Sequence, residues 1–160
     1  MNLKKIVFNF LFFFFFVFFN FIFNSCQENS TPPTTNDTPT EAYLMTTVID
    51  ISDGDTFAIY YKNQKWKVRV LYVDCFETQK GSRLTDQANR AGISVDSALS
   101  LGLKAKEFAR KTLLNKKVEL LRDFKEPNLD IYGRLLRITL IDGMRYDSLI
   151  RVMGLAAPDK

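Results

Sequence analysis

Four short polar segments hold the residue types that could do chemistry in this chain. Three of them combine carboxylates with glycine, threonine or arginine, and the fourth is a single arginine. Carboxylates serve both as metal ligands and as proton acceptors. Each segment also has a plain structural reading, since an Asp-Gly pair is a strong hairpin turn and acids are common after a strand. The segments are 53–56 (Asp-Gly-Asp-Thr), Arg69, 74–78 (Asp-Cys-Phe-Glu-Thr) and 130–134 (Asp-Ile-Tyr-Gly-Arg).

The absence of histidine narrows the chemistry further. The chain has no His, which excludes Ser-His-Asp and Cys-His nucleophile systems, His-based zinc sites and any His general base. Cys75 therefore has no imidazole partner that would make it a catalytic thiol. An EF-hand is excluded as well, because no frame puts Gly at position six and Glu at position twelve. Any catalysis must come from Asp, Glu, Lys and Arg together with a metal ion.

Hydropathy patterning predicts the elements that would position these segments. Apolar residues alternate through three runs, which predicts three antiparallel strands joined by tight turns. Segment 79–94 is polar and punctuated by glycine, and it has no strand pattern. A helix over 95–114 follows, capped by Ser94, because large apolar residues recur there at spacings of four or five. The predicted strands are 44–51, 57–61, 66–72, 117–121 and 135–141, and the last predicted element is a short helix over 147–153.

This order of elements predicts the fold class. It is α+β and mainly β: a five-stranded OB-type Greek-key barrel with one long helix after strand three and a short C-terminal helix. The predicted domain is 43–160, which is long enough for one small domain and too short for two. The only cysteines are Cys26 and Cys75, so if Cys26 is modified no internal disulfide can form and the fold must rely on its core.

The first 25 residues have the layout of a secretory signal. Two lysines precede an apolar run that holds eleven of the fifteen Phe and no acid. Cys26 directly follows the run, which resembles a bacterial lipoprotein signal in which that Cys is lipidated. The run is also about long enough to span a bilayer, so a retained anchor helix is the alternative. We expect a lipoprotein-type signal at 1–25 and an exported, membrane-anchored protein that faces the periplasm or the cell exterior.

Segment 26–42 is predicted to be a disordered tether. From residue 27 to residue 40 it has no aliphatic or aromatic side chain, so it cannot bury a core. The net charge of the whole chain is +4. Removing the two lysines of the signal from the 22 basic residues leaves 20 against 18 acidic residues, or +2. Bulk charge therefore gives no argument for a nucleic-acid partner, and any attraction must be local.

Taken together and in order, the polar segments resemble the staphylococcal nuclease-like (thermonuclease) family. The resemblance rests on Asp-Gly-Asp-Thr between strands one and two, on Arg69 through to Glu77, and on 130–134 with the strand and hairpin that follow. It covers roughly residues 46–157, nearly the whole predicted domain. It implies a Ca²⁺-dependent endonuclease that hydrolyses DNA and/or RNA and leaves 3′-phosphates. We expect the protein to be a monomer.

The roles of the family carry over by position. Asp55 and Asp74 would be the carboxylate ligands of Ca²⁺, and the backbone carbonyl of Cys75 would be another ligand. Glu77 would be the general base for the attacking water.

Two arginines and a tyrosine complete the set that the resemblance implies. Arg69 and Arg134 would grip the phosphate and stabilise the charge of the five-coordinate transition state. Tyr132 resembles a position that contacts the nucleotide. Attack on a phosphodiester needs the anion neutralised, a water deprotonated and the transition state held, and these residue types with a metal ion supply all three.

The sequence departs from the family pattern at four places. Cys75 replaces a Thr, which a ligand contributed by the backbone carbonyl tolerates. Phe76 stands where the family usually has Pro, so we expect Glu77 to be held less rigidly. The 79–94 loop is longer than in the type member, which would alter substrate access. The type member continues into a third helix beyond the position of Gly154-Leu155-Ala156, and without it that side of the barrel is either less stable or covered by another surface.

Two other functions remain open at this point. One is a non-catalytic OB-fold module that binds nucleic acid or protein, although such modules usually lose the acids and arginines retained here. The other is a structural surface lipoprotein, for which no positive feature of the sequence argues.

Overall fold

The structure, a computed structural model, describes residues 38–158. The predicted signal at 1–25, the lipidated Cys26 and most of the predicted tether lie outside the described residues and stay predictions. Within the described range, no helix is both long enough and apolar enough to cross a bilayer.

Six strands and three helices follow one another along the described chain. The alternating apolar pattern has the predicted effect, and β5 buries every second residue along its whole length. The elements are β1 Tyr43–Ile51, β2 Thr56–Tyr61, β3 Gln64–Val70, α1 Ser82–Ala91, α2 Val95–Leu113, β4 Lys117–Leu121, β5 Leu135–Ile141, β6 Met144–Arg145 and α3 Tyr146–Val152.

Strands β1 to β5 form a closed, mixed barrel, and β6 is a short hairpin partner of β5. Neighbours in the order β3-β2-β1-β4-β5 pair antiparallel. The barrel closes because β3 also pairs with β5, in parallel, with Val68 opposite Leu135 and Val70 opposite Arg137. The prediction of a mainly β, five-stranded barrel with helices is confirmed at this level.

α2 occupies the stretch predicted as a helix over 95–114, with Ser94 as its N-cap, but the prediction of a loop over 79–94 was wrong, because the connection from β3 to β4 holds a second helix. α1 lies inside that segment and buries only Leu84, Gln87 and Ala88. It ends at Gly92, whose φ of +65° closes the helix in the left-handed conformation. Leu84, Ala88 and Ala91 recur at helical spacing, but the rest of α1 is strongly polar, so the segment resembled a loop, and its stability comes from tertiary packing.

Smaller differences occur at the ends of elements. β3 ends at Val70 rather than at Tyr72, because residues 71–72 form a turn in which Tyr72 has a φ of +65°. α3 begins one residue earlier than predicted and ends at Val152. Such shifts are common where hydrogen bonding, and not hydropathy, sets the boundary.

The barrel interior is filled by apolar side chains from all five strands. Burying each large one stabilises the fold by about 1.5–3 kcal/mol. α2 packs against this core through small residues on one face, Ala105 and Ala109, followed by Leu113. The strand residues with almost no exposed surface include Val48, Phe57, Ile59, Val68, Leu120 and Leu135.

The residues just before β1 are held by a buried arginine. Arg137 Nη2 donates to the carbonyl of Pro39 at 2.9 Å and to Asn128 Oδ1 at 2.8 Å. Asn128 donates to the same Pro39 carbonyl at 3.1 Å, and Arg122 donates to the carbonyl of Thr40 at 3.3 Å. Burial, with the nearby Arg122, lowers the pKa of Arg137 to about 10. These hydrogen bonds attach Pro39 and Thr40 to β5 and to the loop between β4 and β5.

Candidate active site

The pairing of β2 with β3 brings three of the predicted site residues together. Thr56 lies opposite Arg69 in this antiparallel pair, so Asp55 falls beside the arginine. Arg69 Nη1 is 2.8 Å from Asp55 Oδ1, and Arg69 Nη2 is 2.8 Å from Asp74 Oδ1. One guanidinium thus bridges the two carboxylates that the resemblance assigns to calcium.

Gly54 shows that the first Asp-Gly pair does more than turn the chain. A Cβ at this position would lie 2.6 Å from the Cβ of Ala105 and 2.7 Å from Cys75 Sγ, closer than such atoms approach. The carbonyl of Gly54 also accepts a hydrogen bond from the Tyr146 hydroxyl at 2.9 Å. By contrast, a Cβ on Gly143 would meet nothing, and its φ of +75° marks a plain hairpin turn. The glycine beside Asp55 therefore permits close packing of α2 under the site.

Asp55 is a buried carboxylate, with 5% of its surface exposed. Its Oδ2 accepts the backbone N–H of Cys75 at 2.6 Å, and its Oδ1 accepts the hydroxyl of Thr56 at 3.1 Å. Burial raises the pKa of Asp55 to about 7, and the Arg69 guanidinium opposes that rise. A buried, hydrogen-bonded carboxylate next to a second one favours a cation in contact with both.

α1 adds an arginine that the sequence did not identify as part of the site. Arg83 Nε is 2.8 Å from Glu77 Oε1, and Arg83 Nη2 is 3.2 Å from Asp74 Oδ1. The predicted general base and a predicted metal ligand thus share one guanidinium. The Arg83 side chain is about half exposed, so the pair with Glu77 is reached by solvent.

A second residue of α1, Gln87, holds the segment that carries Asp74 and Glu77. Its side chain is fully buried. The amide nitrogen donates to the Cys75 carbonyl at 2.8 Å and to Asp74 Oδ2 at 3.1 Å, while the amide oxygen accepts the backbone N–H of Glu77 at 2.9 Å. The sequence analysis did not identify Arg83 or Gln87 as site residues. Both lie in α1, and the 79–94 segment that contains α1 was predicted to be a loop.

Phe76 does not leave this segment loose. Its side chain is buried among Leu84, Ala88 and Ala98, so the ring anchors the chain between the two acids. A Cβ on Gly102 of α2 would lie 2.3 Å from the Glu77 carbonyl oxygen, so α2 packs directly on the same backbone. Packing and the Gln87 amide give rigidity here that a proline would give through its ring, contrary to the expectation from Phe76.

Arg134 reaches the site from the loop before β5. Its Nε is 2.7 Å from Asp130 Oδ2, and its Nη1 donates to the Thr56 hydroxyl at 3.3 Å. Thr56 in turn donates to Asp55, so Arg134 is linked to the carboxylate pair through one hydroxyl. The Arg134 guanidinium also lies 5.4 Å from the ring centroid of Tyr132, a largely exposed side chain.

A cavity of about 660 Å³ opens at this cluster. Its charged lining consists of four arginines, Arg69, Arg83, Arg134 and Arg151, and of two aspartates, but Asp55 and Glu77, which pair with Arg69 and Arg83, bring the acids of the cluster to four as well. Tyr132 and Asp74 line it too, whereas Asp55, Cys75 and Glu77 lie outside this lining. Because arginines and carboxylates are equal in number in this cluster, its net charge gives no argument for an anionic partner.

The predicted calcium ligands fit Ca²⁺ in their chemistry, because two carboxylates and a carbonyl are hard oxygen donors. Across residues 38–158, however, no group of three or more acidic, His or Cys side chains is arranged to hold a metal ion. Both oxygens of Asp55 and of Asp74 accept hydrogen bonds or ion pairs from the protein, and Gln87 donates to the Cys75 carbonyl. An ion bound by Asp55 and Asp74 would compete with Arg69 for their oxygens.

Comparison with known proteins adds a sequence relative. No family model matches the chain. It is similar to an uncharacterised protein of Methanocaldococcus jannaschii, with 35% identity over 98 residues. The match covers 59% of this chain and 47% of the relative, so the chain spans about half the length of that protein. The relative carries no stated activity, and a functional conclusion must come from the site.

Proposed function

We propose that this protein is a Ca²⁺-dependent endonuclease of the staphylococcal nuclease-like type, built on an OB-type Greek-key barrel. It would hydrolyse phosphodiester bonds of DNA and/or RNA. The observation that carries the proposal is the single network in which Arg69 bridges Asp55 and Asp74 while Arg83 joins Asp74 to Glu77. These residues are distant in sequence, and the barrel gathers them beside a cavity rich in arginine.

The residues divide the work of phosphodiester hydrolysis in this proposal. Arg69 and Arg134 bind the non-bridging phosphate oxygens and stabilise the extra charge of the five-coordinate transition state. Losing one such donor typically costs about 2.7–4 kcal/mol of barrier. When bound by Asp55, Asp74 and the Cys75 carbonyl, Ca²⁺ would supply charge neutralisation at the phosphate.

Glu77 is the proposed general base. It accepts a proton from a water whose oxygen forms the new bond to phosphorus. The bond from phosphorus to the 5′-oxygen breaks, and that oxygen takes up a proton to become a free hydroxyl. The phosphate stays on the 3′-oxygen, which accounts for the 3′-phosphate product. The ion pair with Arg83 would hold the Glu77 carboxylate in place.

The setting of the enzyme is part of the proposal. With Cys26 lipidated after removal of residues 1–25, or with the apolar run retained as an anchor, the domain would be exported and tethered to a membrane. Its substrate would be nucleic acid in the periplasm or outside the cell, and it would act as a monomer.

The test is plasmid digestion by the full-length chain in a non-ionic detergent. We expect cleavage in CaCl₂, loss of cleavage in EGTA, and at least a hundredfold lower rate for Glu77→Gln, in line with the loss of one key catalytic group. Glu107→Gln is the matched control, because Glu107 is an exposed glutamate of α2 that pairs with Lys111. Equal cleavage in CaCl₂ and EGTA, or full activity of Glu77→Gln, would refute the proposal.

A non-catalytic OB-fold module is the second candidate. One observation favours it, since protein donors already satisfy the carboxylate oxygens of Asp55 and Asp74. It predicts nucleic-acid binding that is the same in CaCl₂ and EGTA, with no cleavage in either.

A further inference from the structure

The cavity extends beyond the residues that the resemblance assigns. Its lining also includes Tyr72, Val73, Leu136 and Arg151 of α3. This part of the lining, here called the wall, combines an aromatic residue and apolar residues with an arginine. A volume of about 660 Å³ exceeds what one phosphate group fills and falls in the range of pockets for organic ligands.

Tyr72 is presented to this cavity in an uncommon backbone conformation. Its φ is +65°, which bulky side chains rarely adopt. Arg151 holds the turn by donating to the Tyr72 carbonyl from Nη2 at 2.7 Å and from Nε at 3.2 Å. The Tyr72 hydroxyl donates to Asp123, and the Arg145 guanidinium lies 5.4 Å from the ring centroid. The Arg145 guanidinium thus lies over one face of the ring, and Tyr72, which lines the cavity, keeps 45% of its surface exposed.

An exposed aromatic ring beside arginines matches the chemistry of a nucleotide, which joins a flat base to an anionic phosphate. Proteins that bind single strands use such rings as stacking surfaces and basic residues along the backbone. In a duplex the base faces are covered by their neighbours, so only an unpaired base can stack on a side chain. The wall therefore suits an unpaired strand.

We propose that Tyr72, with Arg151 at its edge, forms a second nucleotide subsite that stacks an unpaired base next to the phosphate bound at Arg69 and Arg134. The inference rests on the proposed function, since it extends the same site along the substrate. It applies to DNA and RNA alike, because every base has a face on which to stack.

Binding measurements test the subsite directly. The full-length chain in detergent, carrying Glu77→Gln to preserve the strand, is titrated into fluorescent oligothymidylate or oligouridylate in CaCl₂. Tyr72→Asn should weaken binding about tenfold, in line with the loss of one stacked base. Asn is chosen because it tolerates positive φ. Tyr72→Phe keeps the ring and should keep the affinity.

The matched control is Tyr60→Asn, which makes the same change at an exposed tyrosine of β2. Tyr60 lies outside the lining of the cavity, so binding should not change. Unaltered affinity for Tyr72→Asn, or an equal loss for Tyr60→Asn, would overturn the subsite.

A measurement on the unsubstituted tyrosine guards against misfolded variants. Oligonucleotides containing 5-iodouracil crosslink under light to aromatic side chains stacked on the base, and mass spectrometry locates the bond. We expect a crosslink at Tyr72. A crosslink found only at other residues would overturn the inference.

The outcome for the proposed function is read separately, from plasmid cleavage by the protein with Glu77 intact. Cleavage without a Tyr72 effect refutes the subsite and leaves the nuclease standing. A Tyr72 effect without cleavage refutes the nuclease and assigns the subsite to a binding module.

Discussion

Among the single residues, Asp55 shows how the burial of a carboxylate opposes stability. Burial raises its pKa to about 7, whereas an ordinary aspartate titrates near 3.9. Between these values the folded protein keeps a proton that the unfolded chain releases. The stability contributed by this group is therefore fully present below about pH 4 and is lost as the pH rises towards 7.

Because burial disfavours the charged form of Asp55, we expect Asp55→Asn to stabilise the fold at neutral pH. The Asn side chain carries no charge to bury, and its oxygen can still accept the Cys75 N–H. We expect the Tm at pH 7.5 to rise by about 4 °C or more, the shift that 1 kcal/mol produces in a domain of this size. The gap from the unsubstituted protein should close near pH 4, and nuclease activity should fall.

Thermal unfolding followed by circular dichroism from pH 4 to pH 8 provides the measurement. Asp86→Asn, at an exposed position of α1, is the control and should follow the unsubstituted protein. A lower Tm for Asp55→Asn at pH 7.5 would mean that the ion pair with Arg69 outweighs the penalty of burial.

Some residues of the candidate site could be identified from the sequence, and others could not. The motif around Asp55, Arg69 and Asp74 could be found from the sequence, and the structure brings all three into contact. Gly54 looked like an ordinary turn, because its role depends on Ala105, fifty residues away, approaching its Cα. Such a close approach leaves no local trace in composition.

Among the elements, α1 was not predicted from the sequence, although it contributes Arg83 and Gln87 to the candidate site. Strands have a period-two pattern that hydropathy reports, so their existence was predicted and only their ends shifted. α1 has only a narrow apolar stripe, Leu84, Ala88 and Ala91, in an otherwise polar segment, and this helical signal was overlooked. Its polar residues act on the site, and its apolar residues hold Phe76.

The position of Gln87 predicts a specific kinetic effect. Replacing it by Met keeps the approximate volume but leaves the Glu77 N–H and the Cys75 carbonyl without their partner. We expect kcat to fall about tenfold with KM little changed, because Gln87 positions the base without contacting the substrate.

Steady-state cleavage of an oligonucleotide measures both parameters. Gln79→Met, at an exposed position before α1, is the matched control and should leave both unchanged. A rise in KM with kcat intact for Gln87→Met would show that α1 supports substrate binding and not the base.

At the scale of the whole molecule, closure of the barrel sets the site. The parallel pairing of β3 with β5 carries Arg69 and the loop with Arg134 to the same end of the barrel. The five strands of the barrel and the helices α2 and α3 could be predicted from local patterns. The pairing of β3 with β5 could not be predicted, because the two strands are distant in sequence and no tight turn connects them.

The proposed reaction is Ca²⁺-dependent attack of water on phosphorus that leaves the phosphate on the 3′-oxygen. Isotope labelling of the water tests this reaction. A defined single-stranded oligonucleotide is digested by the full-length chain in water enriched in ¹⁸O, and the products are resolved by mass spectrometry. We expect 3′-phosphate ends that carry ¹⁸O in CaCl₂, and an uncleaved oligonucleotide in EGTA. An intact strand in CaCl₂, ends that carry 5′-phosphate, or equal cleavage in both solutions would contradict it.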